Sequence, residues 1–193
     1  MVLAGGVGER LYPLTRERAK PAVYFGGPYR IIDFTLSNCI NSGMRRIFIA
    51  LQYKSLLLSR HLRMGWSVVA DELGEFIDIV PAQQQLGEIW YRGTADAVYQ
   101  NLDIIHQHRP ETVLVLAGDH VYKMDYGPLV AFHKESGADI TIGGVQVPIA
   151  QAHEFGVMTL GAEHRVVSFD EKPKHPRPMP GRDGVALASI ALI

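Results

Sequence analysis

The sequence has a single cysteine, Cys39, so no internal disulfide can form, and a reducing, cytoplasmic setting is expected. It also lacks an excess of charge of either sign. The 19 Lys and Arg against 20 Asp and Glu leave a formal net charge of −1. Such a chain has no strong overall field to draw in nucleic acid or an anionic membrane, and neither is expected as a partner. Any anionic ligand must instead be held by a few placed cations. No uninterrupted apolar stretch reaches the roughly 18–20 residues that cross a bilayer. The first residues do not run from a charged region into the long apolar segment of a secretory signal. Internal repeats and low-complexity tracts are missing too. What is present is ordinary for a globular protein: 47% apolar and 20% charged residues, over 193 residues that support one sizeable core. The chain opens directly on the apolar run Val2-Leu3-Ala4 and closes on the strand-like Val185 to Ile193. Both ends read as core elements, so a piece of a longer protein is expected.

Apolar strand-like runs alternate with amphipathic segments along the chain. Strands are expected at Val2–Ala4, Arg46–Leu51, Ile77–Val80, Val113–Ala117, Ile140–Val147, Val166–Phe169 and Val185–Leu192. Helices are expected at Asp33–Ser42, with Asp33 as N-cap and Gly43 as the stop, at Tyr53–Met64, and at Tyr126–Ser136. A further helix is expected at Thr94–Arg109, capped by Thr94, with Ala95, Val98, Leu102 and Ile105 on one face. This alternation predicts an α/β fold with a mainly parallel central sheet. Residues 1–193 are read as one domain. The stretch with Pro173, Pro176, Pro178, Pro180 and Gly181 reads as a surface loop, since another strand follows it.

Five motifs carry possible chemistry. In Ala4-Gly5-Gly6-Val7-Gly8-Glu9-Arg10-Leu11, glycines after a buried strand let backbone N–H groups converge on a phosphate. The spacing fits neither a dinucleotide fingerprint, which needs glycine at Leu11, nor a Walker loop. Arg10 supplies a fork for phosphate oxygens. A plain tight turn is the alternative. In Arg18-Ala19-Lys20-Pro21-Ala22, the proline imposes extended backbone at Lys20 and can aim its ammonium beside Arg10, where it suits a leaving pyrophosphate; a solvated basic turn is the alternative. Asp119 in Ala117-Gly118-Asp119-His120 stands just past an apolar strand, at the carboxyl edge where parallel sheets bind ligands. One carboxylate there can hold Mg²⁺, which takes one or two protein ligands plus substrate phosphates; a turn-forming Asp is the alternative. Gln83 and Gln84 offer paired amides for a base edge, and Gly93-Thr94 offers free N–H groups at a helix start. Finally, Glu171-Lys172-Pro173 places an acid for sugar hydroxyls and a base for a sugar phosphate at a strand end; an exposed ion pair is the alternative.

Together and in this order, these motifs closely resemble the bacterial glucose-1-phosphate adenylyltransferases. The resemblance covers essentially the whole chain and includes Ile31-Ile32-Asp33-Phe34, Leu36 to Gly43 and Trp90 to Ala97. It implies a Rossmann-like mixed, mainly parallel sheet flanked by helices (the nucleotide-diphospho-sugar transferase fold), incomplete here at the C-terminus, and a homotetramer that makes ADP-glucose and pyrophosphate from ATP and glucose 1-phosphate. By the same resemblance, Gly5, Gly6, Gly8 and Arg10 hold the ATP phosphates, and Asp119 anchors Mg²⁺. Tyr91, Gly156, Glu171, Lys172 and Ser189 line the glucose 1-phosphate site, Gln83 or Gln84 faces adenine, and Arg10, Lys20, Asp119 and Lys172 carry the catalysis. A second metal-binding aspartate and a left-handed β-helix are implied beyond residue 193. Effector cations of the family are matched by Arg18 and Arg30. They are replaced at Glu17, Tyr24, His106 and Gln107, so activation by fructose 1,6-bisphosphate and inhibition by AMP are not expected to carry over unchanged. Two rivals stand beside this reading: a sugar nucleotidyltransferase using UTP, GTP or dTTP, and a non-catalytic regulatory or binding fragment.

Overall fold

A computed structural model describes residues 1–6, 8–82 and 91–192, which form two compact units, Met1–Glu135 and Ser136–Ile193. In the first unit, four strands run in the order β3-β2-β1-β4: β1 (Val2–Leu3), β2 (Arg46–Leu51), β3 (Phe76–Pro81) and β4 (Val115–Ala117). All three neighbouring pairs are parallel. The run Ile47–Leu51 of β2 is buried throughout, as a parallel strand covered on both faces should be. The helices are α1 (Ile31–Asn41), α2 (Ser55–Gly65), α3 (Thr94–Tyr99), α4 (Leu102–Gln107) and α5 (Gly127–Ser136). Ile32, Leu36, Leu58, Leu62 and Tyr126 fill the core beside the strands.

Helix starts differ from the sequence expectation in an instructive way. The N-cap of α1 is Arg30, not Asp33. Asp33 lies inside the first turn, and its Oδ2 reaches back to accept the Arg30 backbone N–H at 2.8 Å. Its other oxygen accepts Trp66 Nε1 at 2.8 Å and lies 2.7 Å from His61 Nε2. The aspartate therefore closes the helix end as one half of a capping box and ties α2 to it. At the other end Gly43 has φ 75°, with N–H bonds from Gly43 to the Ile40 carbonyl and from Met44 to the Cys39 carbonyl. That pair of bonds is a Schellman stop, and the positive φ is why glycine stands there.

The expected single helix over 94–109 is broken in two. Asn101 Nδ2 donates to the Ala97 carbonyl at 2.7 Å, taking an acceptor of the helical ladder, and two turn residues separate α3 from α4. Gly93, not Thr94, is the N-cap, while Asp96 Oδ2 accepts the Arg92 N–H at 2.8 Å.

In the second unit, all strand pairs are antiparallel: β5 (Ile142–Pro148) pairs with β8 (Val185–Leu192), which pairs with β6 (Gly156–Leu160), which pairs with β7 (Val166–Glu171). Ala152, Val157 and Ala186 form its core cluster, with Val147 and Ile149 against them. The expected α/β class with a mixed sheet is thus observed, the parallel pairs belonging to the first unit. Strand β6 was not anticipated: Gly156 and Thr159 dilute its short apolar run. Among the described residues no helix is long and apolar enough to cross a membrane.

Cys39 is 3% exposed, and burial pushes its thiol up from 9.0 to about 11. Burial likewise raises the hydroxyls of Tyr122 and Tyr126. A group whose folded-state value is raised keeps a proton that the unfolded chain releases. Its stabilising effect is full below pH 9 and is lost as pH climbs toward 11. For Cys39 a two-unit shift corresponds to about 2 kcal/mol by pH 11. Urea denaturation of wild type and Cys39→Ala at pH 8 and pH 11 checks this. The stability deficit of the variant is expected to shrink by about 2 kcal/mol at the higher pH.

Candidate active site

The parallel register brings three chain segments to one edge. Val2 and Leu3 of β1 stand beside Leu116 and Ala117 of β4, and beside Ile49 and Ala50 of β2. The next residues leave the sheet together: Gly5-Gly6 after β1, Gln52 after β2 and Gly118-Asp119 after β4. The Gly118 N–H donates to the Leu3 carbonyl at 2.8 Å, so the two loops separate only past that bond. A Cβ on Gly118 would lie 3.0 Å from Val2 Cγ1 and 3.2 Å from the Leu3 carbonyl oxygen, which favours glycine there.

The glycine loop then turns back. Gly8 has φ 70° and caps the single 3₁₀ turn Glu9–Leu11, which carries Arg10 exposed on its surface. The Gly8 carbonyl accepts the Leu11 N–H at 3.0 Å and the Thr15 hydroxyl at 2.9 Å. Lys20 opens a second 3₁₀ turn, Lys20–Ala22, with the extended backbone one residue earlier than expected, at Ala19. Its N–H donates to the Gly6 carbonyl at 3.3 Å. Its ammonium donates to Asp119 Oδ2 at 2.9 Å, with both side chains about three-tenths exposed (31% and 26%). His120 Nε2 lies 3.7 Å from the other oxygen of Asp119. Lys20, Asp119 and the glycine loop, singled out separately in the sequence, are therefore one cluster. Gly6 faces it closely: a Cβ there would sit 3.7 Å from Asp119 Oδ2.

Two further residues join this edge without having been singled out. Gln52 packs on Gly5, whose added Cβ would meet Gln52 Cβ at 3.2 Å, and its Nε2 donates to the Tyr91 carbonyl at 3.4 Å. Lys54 Nζ donates to the carbonyls of Thr15 and Arg16, at 3.1 Å for Thr15. Lys54 also lines a cavity of about 380 Å³ with Glu9, Tyr12, Thr15 and Arg16. The position of Gln52, directly after a buried parallel strand, was the available signal; for Lys54 the sequence offers none.

Tyr91 is held through its hydroxyl, which accepts Asn101 Nδ2 at 3.0 Å, and Gly93 and Thr94 are exposed at the start of α3. Gln83, Gln84 and Trp90 lie outside the described residues. Arg18 and Arg30 flank the Tyr24 ring, with guanidinium carbons 5.3 and 4.7 Å from its centre. Within the second unit, Gly156 stands opposite Glu171 in β6/β7, and its added Cβ would meet Phe169 Cζ at 2.4 Å and Ser189 Oγ at 3.1 Å. Lys172 leaves the strand at φ 46°, donates its N–H to the Phe155 carbonyl at 3.0 Å, and pairs with Glu171 at 3.1 Å. The four second-unit residues singled out in the sequence thus converge at one end of that sheet.

Asp119 offers a hard, partly exposed carboxylate at the loop edge, a donor suited to Mg²⁺ shared with phosphate oxygens. Among the described residues no cluster of three or more His, Cys, Asp or Glu forms a metal cage. The donor set therefore fits a cation that brings its own phosphate ligands, and does not fit an all-protein site.

The glycine geometry yields a paired expectation. Gly8→Ala puts a Cβ 2.7 Å from Lys20 Cβ at a left-handed φ, whereas Gly6→Ala meets only an ordinary contact. Chemical denaturation is expected to show a loss of about 2–4 kcal/mol for Gly8→Ala and under about 0.5 kcal/mol for Gly6→Ala.

Residues 1–189 match the nucleotidyl transferase family. The chain is 59% identical over 192 residues to glucose-1-phosphate adenylyltransferase 2 of Alkalilimnicola ehrlichii, covering 100% of this chain and 46% of that protein. It is 59% identical over 192 residues to glucose-1-phosphate adenylyltransferase of Methylococcus capsulatus, covering 45% of that protein. Over 193 residues it is 60% identical to the Paraburkholderia phytofirmans enzyme of the same name, again covering 46% of it. The chain spans less than half the length of these curated relatives. With a glycine loop, a paired lysine and aspartate at one sheet edge, and a match over nearly its full length, the chain belongs to the nucleotidyl transferase family.

Proposed function

We propose that residues 1–193 are part of the catalytic domain of a glucose-1-phosphate adenylyltransferase, which makes ADP-glucose and pyrophosphate from ATP and glucose 1-phosphate. The observation that carries the reading is the Lys20–Asp119 pair beside the glycine loop. It sets a cation and a metal-binding carboxylate where a triphosphate would lie. The names of the relatives support the choice of ATP and of glucose 1-phosphate.

In this reading the N–H groups of Gly5, Gly6 and Gly8 and the guanidinium of Arg10 receive the triphosphate. Gln83 or Gln84 reads the adenine edge, with Gly93 and Thr94 beside the nucleotide. Tyr91, Gly156, Glu171 and Ser189 receive the sugar, and Lys172 its phosphate. An oxygen of that phosphate attacks the α-phosphorus in line, the bond to the bridging oxygen breaks, and pyrophosphate leaves with the electron pair. The nucleophile is already an anion, so no base and no covalent enzyme intermediate are required. Mg²⁺, held by Asp119 and the substrate phosphates, would supply charge neutralisation at the phosphoryl oxygens. Lys20 stabilises the departing pyrophosphate, and Lys172 offsets the repulsion between the two anions. Arg18 and Arg30 form a cationic site for an anionic effector, a role that the stacking on Tyr24 supports by ordering both side chains. A cytoplasmic homotetramer belongs to the same reading.

Steady-state assay of the protein at its full natural length with ATP, UTP, GTP and dTTP tests it. ATP is expected to give the highest kcat/KM, and faster turnover with UTP would overturn the adenylyl assignment. Asp119→Asn is expected to lower kcat by 10²-fold or more, and Lys172→Gln to raise KM for glucose 1-phosphate about tenfold or more with KM for ATP little changed.

A further inference from the structure

The segment that carries Asp119 has no regular structure of its own. Between the end of β4 at Ala117 and the start of α5 at Gly127, the chain forms a turn at Gly118-Asp119 and then irregular backbone. Such a segment cannot satisfy its polar groups by a ladder, so they must find other partners. They find them on one face of α1. Thr35, Asn38 and Ser42 are spaced three and four apart, which places them on the same side of the helix. The Thr35 hydroxyl donates to the Ala117 carbonyl at 3.1 Å. Asn38 Nδ2 donates to the Tyr122 carbonyl at 3.0 Å, and Asn38 Oδ1 accepts the Met124 N–H at 3.3 Å. Ser42 Oγ accepts the Tyr126 N–H at 2.8 Å. Thr35 and Asn38 are 0% and 6% exposed.

The chemistry of these contacts is specific. Asn38 uses both ends of its amide, one as donor and one as acceptor, so it fixes the segment at two points two residues apart. An aspartate of the same shape would turn an acceptor toward the Tyr122 carbonyl. An alanine would leave a buried carbonyl and a buried N–H unpaired. Thr35 holds the last residue of β4, two positions before Asp119, and Asn38 holds the chain three positions after it. Asp119 is thus bracketed by two anchors on a rigid helix, and on its free side it meets Lys20.

We propose that Asn38, supported by Thr35, is a positioning residue for Asp119: α1 holds the β4 exit segment so that the carboxylate meets a nucleotide-bound divalent cation. Ser42, at the far end of the segment, contributes less. The inference rests on the reading of Asp119 given above.

The test measures binding without turnover, in the protein at its full natural length. ATP dissociation constants are measured without divalent metal and with Mn²⁺, and their ratio is the gain from the metal. Wild type is expected to gain tenfold or more, and Asp119→Asn to lose that gain. Asn38→Ala and Asn38→Asp are expected to keep the metal-free constant within twofold of wild type while reducing the gain at least threefold. Thr35→Val, which removes one hydroxyl at constant shape, is expected to reduce the gain in the same direction, and it decides the matter where the Asn38 variants do not fold. Ile105→Ala, a truncation of a buried residue of α4 outside this segment, is expected to retain the full gain. If wild type shows no gain, or Asp119→Asn keeps it, the reading of Asp119 falls and this inference with it. If both controls behave as expected but the folded Asn38 variants and Thr35→Val keep the full gain, the positioning role alone is overturned. An equal loss in Ile105→Ala would also overturn it, by assigning the effect to general loosening.

Discussion

The first unit depends on one constraint, the parallel register of β1 with β4. Each strand is short, Val2–Leu3 and Val115–Ala117, and a few backbone bonds set the pairing. The bond from the Gly118 N–H to the Leu3 carbonyl fixes where the two chains part. A slip of one residue would turn every side chain to the other face and move Asp119 away from Gly6 and Lys20. The glycine at 118 follows from the same constraint, because the Leu3 carbonyl and Val2 occupy the space a Cβ would need.

From that register follows an electrostatic balance. Lys20 and Asp119 neutralise each other, each partly withdrawn from water. Neither charge is left bare, so the cluster avoids the cost of an isolated desolvated ion. A triphosphate and a divalent cation bring opposite charges to the same place. They can take over both members of the pair, the phosphate matching the ammonium and the cation matching the carboxylate. In the proposed function such an exchange would leave both the ammonium and the carboxylate paired, which suits a chain of near-zero net charge to a highly charged ligand.

The strands of the first unit were legible in the sequence because apolar runs such as Arg46–Leu51 have few alternatives once buried on both faces. Gly43 marked a helix end correctly because positive φ favours glycine there. The failures have a common source. Asp33, Asp96 and Asn101 are residues whose short polar side chains bond the backbone nearby. The sequence shows that capacity but not which N–H or carbonyl each takes. Asp33 closes the helix from inside its first turn, and Asn101 interrupts one. Residue types at strand ends singled out Asp119 and the glycine loop, which the fold brings together. Gln52 was missed because its contact with Gly5 joins segments distant in sequence.

The same logic separates the two sets of candidate residues by how firmly they are held. Around Asp119, buried side chains of α1 bond the adjoining backbone, and Lys20 completes the arrangement. In the second unit, Gly156, Glu171 and Ser189 are brought together by antiparallel register alone. The Glu171–Lys172 pair is more than half exposed on both sides, a contact worth little in water. Its side chains can therefore leave each other at small cost, which suits the proposed binding of a sugar phosphate that offers hydroxyls to the one and an anion to the other. What is fixed there is the backbone: Lys172 stands at a left-handed φ with its N–H bonded to Phe155. A long, flexible side chain on a fixed root suits a group that must meet a small anionic substrate and then release it. A rigid carboxylate suits one that must hold a cation in place while a phosphorus–oxygen bond forms.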